Sequence, residues 1–190
     1  MRICVYGAAS NDIDPAYLQA GKELGLTMAQ RGHTLVFGGG ETGLMGAVAR
    51  GMTAGGGEII GVAPRFFDVE GVLYQKCTEM IYTETMRERK SIMEERAEAF
   101  IMTTGGIGTF EEFYEILTLR QLGRHNKPIA ILNTMDYYRP LMQMQERAME
   151  QGFLRRECQS LCAWFDDPAQ LLDYLESDGA KNLDGKLTSF

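Results

Sequence analysis

The residues Ala99–Thr118, AFIMTTGGIGTFEEFYEILT, join two periodicities across a break. Ala99 to Met102 is an apolar run of strand length. Thr103-Thr104-Gly105-Gly106-Ile107-Gly108-Thr109 interrupts it, and Phe110, Phe113, Ile116 and Leu117 then recur at helical spacing. The unit is strand, glycine turn, helix. Such a turn leaves the first backbone N–H groups of a helix free at its positive end, a natural seat for phosphate. Glu111-Glu112, in the first helical turn, sets a carboxylate beside any anion held there. The pattern points to a phosphate anchor with an acid or base next to it.

The same alternation extends in both directions. Ile3 to Tyr6 is a first strand, closed by Gly7-Ala8-Ala9-Ser10. Asp14-Pro15 starts a helix that ends at Arg31-Gly32, with Asp at the cap and Pro at the first position. Thr34 to Phe37 is a second strand. It runs into the glycine-rich turn Gly38–Gly46, after which Ala47 to Ala54 is helical. Strands are expected over Glu58–Ala63 and Lys76–Thr83, with a loop at Arg65–Gln75 between them, followed by a charged helix over Met86–Glu98. Beyond the central unit come a strand at Ile129–Leu132, a Met-rich helix at Tyr137–Gln151, a strand at Leu161–Phe165 and a helix opened by Asp167-Pro168. Strands that are continuously apolar and alternate with helices belong to a parallel sheet covered on both faces. The fold expected is α/β, a single-domain Rossmann-like parallel sheet with helices on both faces. It spans 1–176, leaving a loose polar tail at 177–190. Ligands of open α/β sheets sit beyond the carboxyl ends of the strands. Gly7–Ser10, Gly38–Gly46 and Gly105–Thr109 all fall on that edge, which favours a nucleotide-like ligand.

The totals narrow the function. At 190 residues with a formal net charge of −7, the chain has neither the basic balance of a nucleic-acid binder nor an apolar run of membrane-spanning length. His33 and His125 are the only histidines, so a histidine-based metal site is not expected. Cys4, Cys77, Cys158 and Cys162 form no CxxC pair and read as reduced thiols of a cytoplasmic protein. The apolar N-terminal run is too short for a signal peptide. Gly38, Gly40 and Gly43 satisfy the G-x-G-x-x-G spacing. The nearest acidic residue, Glu58, opens the third strand, whereas the residue that holds a dinucleotide ribose closes it. No Gly-Lys-Thr or Gly-Lys-Ser follows any turn, so the Walker phosphate loop is absent as well. Met86-Arg87-Glu88-Arg89-Lys90 reads either as a solvated helical face or as a cationic group on the same carboxyl edge, with Arg89 opposite Glu112.

These motifs together resemble the Lonely Guy family of cytokinin riboside 5′-monophosphate phosphoribohydrolases, often labelled lysine decarboxylases. GGIGTFEE at 105–112 is similar to its PGGxGTxxE motif, and GGGETGLMGAVA at 38–49 to its GGGxxGLMG stretch. Met86, Arg89 and Lys90 match its MHxRK pattern, and Gln121-Leu122-Gly123, Asn126-Lys127-Pro128 and Tyr137-Tyr138 also fit. Thr104 stands where the family has Pro, Arg87 where it has His, and Ala8-Ala9 where serine is common. The resemblance implies hydrolysis of the N-glycosidic bond of a nucleoside 5′-monophosphate, a cytokinin riboside 5′-monophosphate or AMP, to free base and ribose 5-phosphate. By motif position Arg89 and Glu112 are the catalytic pair. Lys90, Gly105, Gly106, Ile107, Gly108, Thr109, Phe110, Glu111 and Thr118 fall at substrate- or phosphate-binding positions. It implies a homodimer, with the helix after the GGIGT turn near the interface. No cofactor is expected, and a pyridoxal-phosphate lysine decarboxylase is disfavoured because the chain is short for one and no glycine motif supplies a Schiff-base lysine. A second reading is a non-catalytic nucleotide or molybdenum-cofactor carrier of the same fold.

Overall fold

Seven strands and six helices lie along residues 1–177, the residues that the computed structural model describes, and they alternate except between the third and fourth strands, which are joined through a 3-10 turn at Arg65–Phe67. Except for Ser177, the expected tail lies outside them. The strands are β1 (Arg2–Tyr6), β2 (Thr34–Phe37), β3 (Ile59–Pro64), β4 (Glu79–Thr83), β5 (Ala99–Met102), β6 (Ile129–Leu132) and β7 (Ala163–Phe165). The helices are α1 (Pro15–Gln30), α2 (Gly43–Ala54), α3 (Met86–Arg96), α4 (Ile107–Gln121), α5 (Arg139–Glu150) and α6 (Pro168–Glu176). The sheet is parallel throughout, in the order β4-β3-β2-β1-β5-β6-β7. The chain winds outward from β1 to one edge, then returns to pair β5 with β1 and winds to the other edge. The reversal lies between β1 and β5, so their carboxyl ends flank the crevice where ligands of this architecture bind.

Alternate residues of each strand feed two cores, which is why the strands read as unbroken apolar runs. Ile3, Val5, Leu35, Phe37, Ala99 and Ile101 pack beneath Leu24 and Met28 of α1, Val48 and Met52 of α2, and Leu171 and Leu172 of α6. Cys4, Tyr6, Val36, Phe100 and Met102 pack against Met93 of α3 and Phe113 and Ile116 of α4. α1 and α2 cross at glycines. A Cβ at Gly25 would stand 2.1 Å from the Val48 carbonyl oxygen, and one at Gly51 would stand 2.1 Å from that of Lys22. Backbone meets backbone there, and no side chain fits between.

Several boundaries differ from the sequence expectation. α2 begins at Gly43, four residues before Ala47, because loop acceptors engage the amides of its first turn. β4 begins at Glu79 instead of Lys76: the Thr78 hydroxyl accepts from Ile59 N at 3.1 Å, so a side chain replaces the ladder before the strand starts. α5 begins two residues after Tyr137, behind a bend in which Met135 and Asp136 both take left-handed φ values, 55° and 57°. A 3-10 helix over Arg156–Leu161, without a periodicity signal, precedes β7.

Candidate active site

The three glycine-bearing loops meet at the β1/β5 crevice, but they carry different donors. Ala8 N donates to the Thr104 carbonyl at 3.1 Å and so joins the first loop to the third. In the second loop, Leu44 N donates to Ala8 O at 2.9 Å and Gly43 N to Asn11 Oδ1 at 2.8 Å, while the Thr42 hydroxyl donates to Ala9 O at 2.7 Å. These contacts consume the N-terminal donors of α2, and the GGGETGLMG turn serves as a joint.

The GGIGT turn is built the opposite way. Gly106 caps α4 with no side chain, and Phe110 N, donating to Gly106 O at 3.0 Å, is the first amide of the helix with an acceptor. The N–H groups of Ile107, Gly108 and Thr109 meet none among the described residues. The turn's carbonyls, by contrast, are tied back. Tyr138 donates its hydroxyl to Thr103 O at 2.7 Å, and Tyr137 donates to Gly105 O at 2.9 Å. Fastening the acceptors inward leaves the donors turned out, as an anion site requires. A Cβ at Gly106 or Gly108 would meet nothing within 4 Å, whereas at Gly105 it would fall 2.1 Å from Thr109 Oγ1. The turn is therefore open in front and tight behind. The Thr104 hydroxyl, at the turn entry, is buried with no hydrogen-bond partner among the described residues.

Arg89 reaches this crevice from α3. That helix satisfies its own N-terminus: Thr85 Oγ1 accepts from Glu88 N at 3.1 Å, and Glu88 accepts from Glu84 N at 2.9 Å. Arg89 Nε donates to Val62 O at the end of β3 (3.2 Å), and Nη1 donates to Glu112 Oε1 at 2.7 Å. Both residues are buried, Arg89 to 5% exposure and Glu112 to 8%. Burial pushes the Glu112 carboxyl above its ordinary value, against the attraction of the Arg89 guanidinium, which pulls it back down. A carboxylate held in that balance next to free amides is equipped to stabilise developing positive charge or to accept a proton.

The other sequence-predicted positions divide. Gly105, Gly106, Ile107, Gly108 and Thr109 form the turn itself, and Phe110 packs its ring 6.0 Å from that of Tyr138. Lys90 and Glu111 pair with each other, and Glu115 also holds Lys90 at 2.8 Å. Burial works against the lysine's charge, but its two carboxylates outweigh it and raise its pKa. Thr118 is not brought to the turn. It lies eleven positions beyond Ile107 on α4, roughly 16 Å along the axis at the helical rise. It lines a groove of about 590 Å³ between α4, α5 and the 3-10 helix, with Tyr114, Met142, Met144 and Phe153. No cluster of three or more His, Cys, Asp or Glu side chains suited to a metal occurs among the described residues. Two parts of the site escaped the sequence reading. The Val62 carbonyl is backbone and leaves no residue signature, and the tethering role of Tyr137 and Tyr138 depends on the bend before α5.

Comparison with known proteins bears on the family and the fold. A family model described as "Possible lysine decarboxylase" matches residues 45–175. The probable cytokinin riboside 5′-monophosphate phosphoribohydrolase LOGL2 of Oryza sativa subsp. japonica is 35% identical over 175 residues, covering 92% of this chain and 72% of that one. LOG2 of Arabidopsis thaliana, a cytokinin riboside 5′-monophosphate phosphoribohydrolase, is 34% identical over 175 residues, covering 92% and 82%. Among solved structures, the molybdenum cofactor binding protein of Rippkaea orientalis superposes with a TM-score of 0.71 at 20% identity, covering 92% of this chain and 94% of that one. The molybdenum cofactor carrier protein of Chlamydomonas reinhardtii gives 0.67 at 24% identity, covering 90% and 98%. The structural likenesses establish the α/β fold, while a third of the residues shared with the curated relatives along nine-tenths of the chain establishes descent: this chain belongs to the Lonely Guy family, the group also described as possible lysine decarboxylases.

Proposed function

We propose that the protein hydrolyses the N-glycosidic bond of a nucleoside 5′-monophosphate, a cytokinin riboside 5′-monophosphate or AMP, releasing free base and ribose 5-phosphate. The observation that carries this reading is the buried Arg89–Glu112 pair, at 2.7 Å, beside a helix N-terminus whose first three amides meet no acceptor among the described residues. The 5′-phosphate binds the amides of Ile107, Gly108 and Thr109, with the α4 dipole adding to the attraction. Anchoring the phosphate fixes the ribose near Glu112. The bond from C1′ to the base nitrogen breaks with its electron pair leaving on the base, and positive charge develops on the sugar. Glu112 faces that charge as a carboxylate and stabilises it, or takes a proton from the attacking water. Water adds to C1′, and the departing base gains a proton. Arg89 favours the ionised form of Glu112 against the larger pull of burial, and it fixes the carboxylate's direction. Lys90, held by Glu111 and Glu115, flanks the anchor.

α5 has no buried residue in the single chain, and Met142, Met144 and Phe153 stand 40%, 63% and 88% exposed along the groove it shares with α4. An apolar helix face of this kind calls for cover, and a second copy of the chain supplies it in a homodimer. Thr118 would then belong to the interface. We assign the protein to the cytoplasm on its free, largely buried cysteines; no helix among the described residues is long and apolar enough to cross a membrane.

The test is incubation with a panel of nucleoside monophosphates, including AMP and isopentenyl-AMP, with free base resolved by chromatography. Base release is the expected result. Tight nucleotide or molybdenum-cofactor binding without release would replace the hydrolase with a carrier, a function named for the structural neighbours of the same fold.

A further inference from the structure

Gly38 closes the end of β2, next to Val62 across the β2–β3 pair, in which Phe37 faces Gly61. Its φ lies outside the left-handed region, so its backbone accepts any side chain. The space around it is another matter. The three heavy atoms nearest to a Cβ built there all belong to Arg89: Nη2 at 1.9 Å, Cζ at 3.0 Å and Nε at 3.4 Å. The guanidinium cannot slide aside without loss, because Val62 O holds Nε and Glu112 holds Nη1 in its rigid fork. Nη2 has no acceptor among the described residues, so both of its N–H groups are still to be given.

We propose that Gly38 is a positioning residue: its missing side chain is the seat of the Arg89 guanidinium, and through it β2 sets the Arg89–Glu112 pair and leaves Nη2 free for the nucleotide. Arg89 then crosses the carboxyl ends of β3 and β2 and is fixed by one backbone carbonyl, one empty Cβ position and one carboxylate. This deepens the hydrolase reading and rests on it for the role of Nη2, whereas the seating of Arg89 is independent of it.

The probe is Gly38→Ala, with Gly40→Ala as the control in the same loop. A Cβ at Gly40 comes no nearer than 3.0 Å, to the flexible Met45 Cε. Each variant is made alone, and Gly38→Ala is also made in an Arg89→Lys background, where the shorter, unforked side chain vacates the seat. Carbon-13 labelling of glutamate side chains follows the Glu112 titration, thermal melting follows stability, and AMP turnover follows kcat and KM. Gly38→Ala is expected to move the Glu112 midpoint upward and to lower kcat about a hundredfold, with the larger effect on kcat than on KM. Gly40→Ala is expected to do neither, and Gly38→Ala is expected to add nothing in the Arg89→Lys background. Should Gly38→Ala fail to fold while the Gly38→Ala/Arg89→Lys pair folds, the seat is again supported. An unmoved Glu112 midpoint, an equal cost of Gly38→Ala in both backgrounds, or failure of both Gly38→Ala proteins to fold would overturn it. If the wild-type protein releases no base from any nucleotide, the hydrolase reading fails, and the titration and melting cycle still decide the positioning.

Discussion

Replacing Arg89 by Met isolates what the guanidinium does for Glu112. Met keeps most of the aliphatic stem and removes the charge, so little packing is lost. What remains is a carboxyl group 8% exposed, whose partner at 2.7 Å is gone. Breaking a buried pair from one side costs about 3–5 kcal/mol when the remaining group stays charged. Near 190 residues each kcal/mol moves the melting temperature by about 2–4 °C, so a drop of about 6–20 °C is expected where Glu112 is ionised. The carboxyl has an escape in protonation, which makes the cost depend on pH. Burial already places Glu112 above its ordinary value of 4.5, and loss of Arg89 removes the opposing attraction and lifts it further. A carboxyl raised in the folded state contributes stability that is complete below its unfolded value and is lost as pH rises through the folded one. The wild type shares that sign, but Arg89 weakens it. The deficit of Arg89→Met should therefore be small near pH 5 and large near pH 8. Thermal unfolding of both proteins at the two pH values, followed by circular dichroism, measures it directly. Glu112→Gln added to Arg89→Met should abolish the pH dependence. Equal deficits at pH 5 and pH 8, or a pH dependence that survives the second substitution, would refute the claim that Arg89 holds a buried carboxylate.

Further outcomes follow from other parts of the molecule. Glu112→Gln removes charge with little change of volume and should cut base release by about a thousandfold or more while nucleotide affinity stays near wild type; chromatography of released base and calorimetric binding check the two halves. Gly51→Val drives a side chain into a position where a Cβ alone would lie 2.1 Å from the Lys22 carbonyl oxygen, so chemical denaturation should show a loss of about 3 kcal/mol or more. Light scattering should report two subunits for the wild-type protein and one for Phe153→Asp, with the circular dichroism spectrum unchanged. Burial pushes the Cys4 and Cys162 thiols up to about 12, so neither should react with a thiol reagent at pH 8 until denaturant is added, as peptide mapping would show.

Local pattern made the framework legible. Continuous apolar runs such as Ala99–Met102 showed strands buried on both faces, and Asp14-Pro15 and Asp167-Pro168 marked helix starts that the side-chain caps reproduce. The meeting of Arg89 and Glu112 was within reach too, because both follow from placing a helix start and a strand end on one sheet edge. Some of what was missed also had a signal. Glu111, Glu115 and Thr118 are spaced i, i+4, i+7, so one stripe of α4 carries all three, and Lys90 meets the stripe at its first two positions. The same spacing puts Thr118 far down the helix, where only a different surface can meet it.

The harder lesson lies in the two glycine turns. GGGETGLMG has more glycine than GGIGT and would rank higher as a phosphate loop by composition, yet the amides at the start of its helix, Gly43 to Gly46, are spent on Asn11, Ala8 and Thr42. GGIGT keeps three helix amides without an acceptor among the described residues, and Tyr137 and Tyr138, more than thirty residues further on, fasten its carbonyls from behind. Whether a glycine turn binds an anion is settled by where its acceptors and donors find partners, and those partners are remote in sequence and often backbone. Glycine lets the chain come close; it does not determine which groups are left over. The same distinction separates Gly38 from Gly40, neighbours in one loop, of which only the first lies where the guanidinium of Arg89 has to pass.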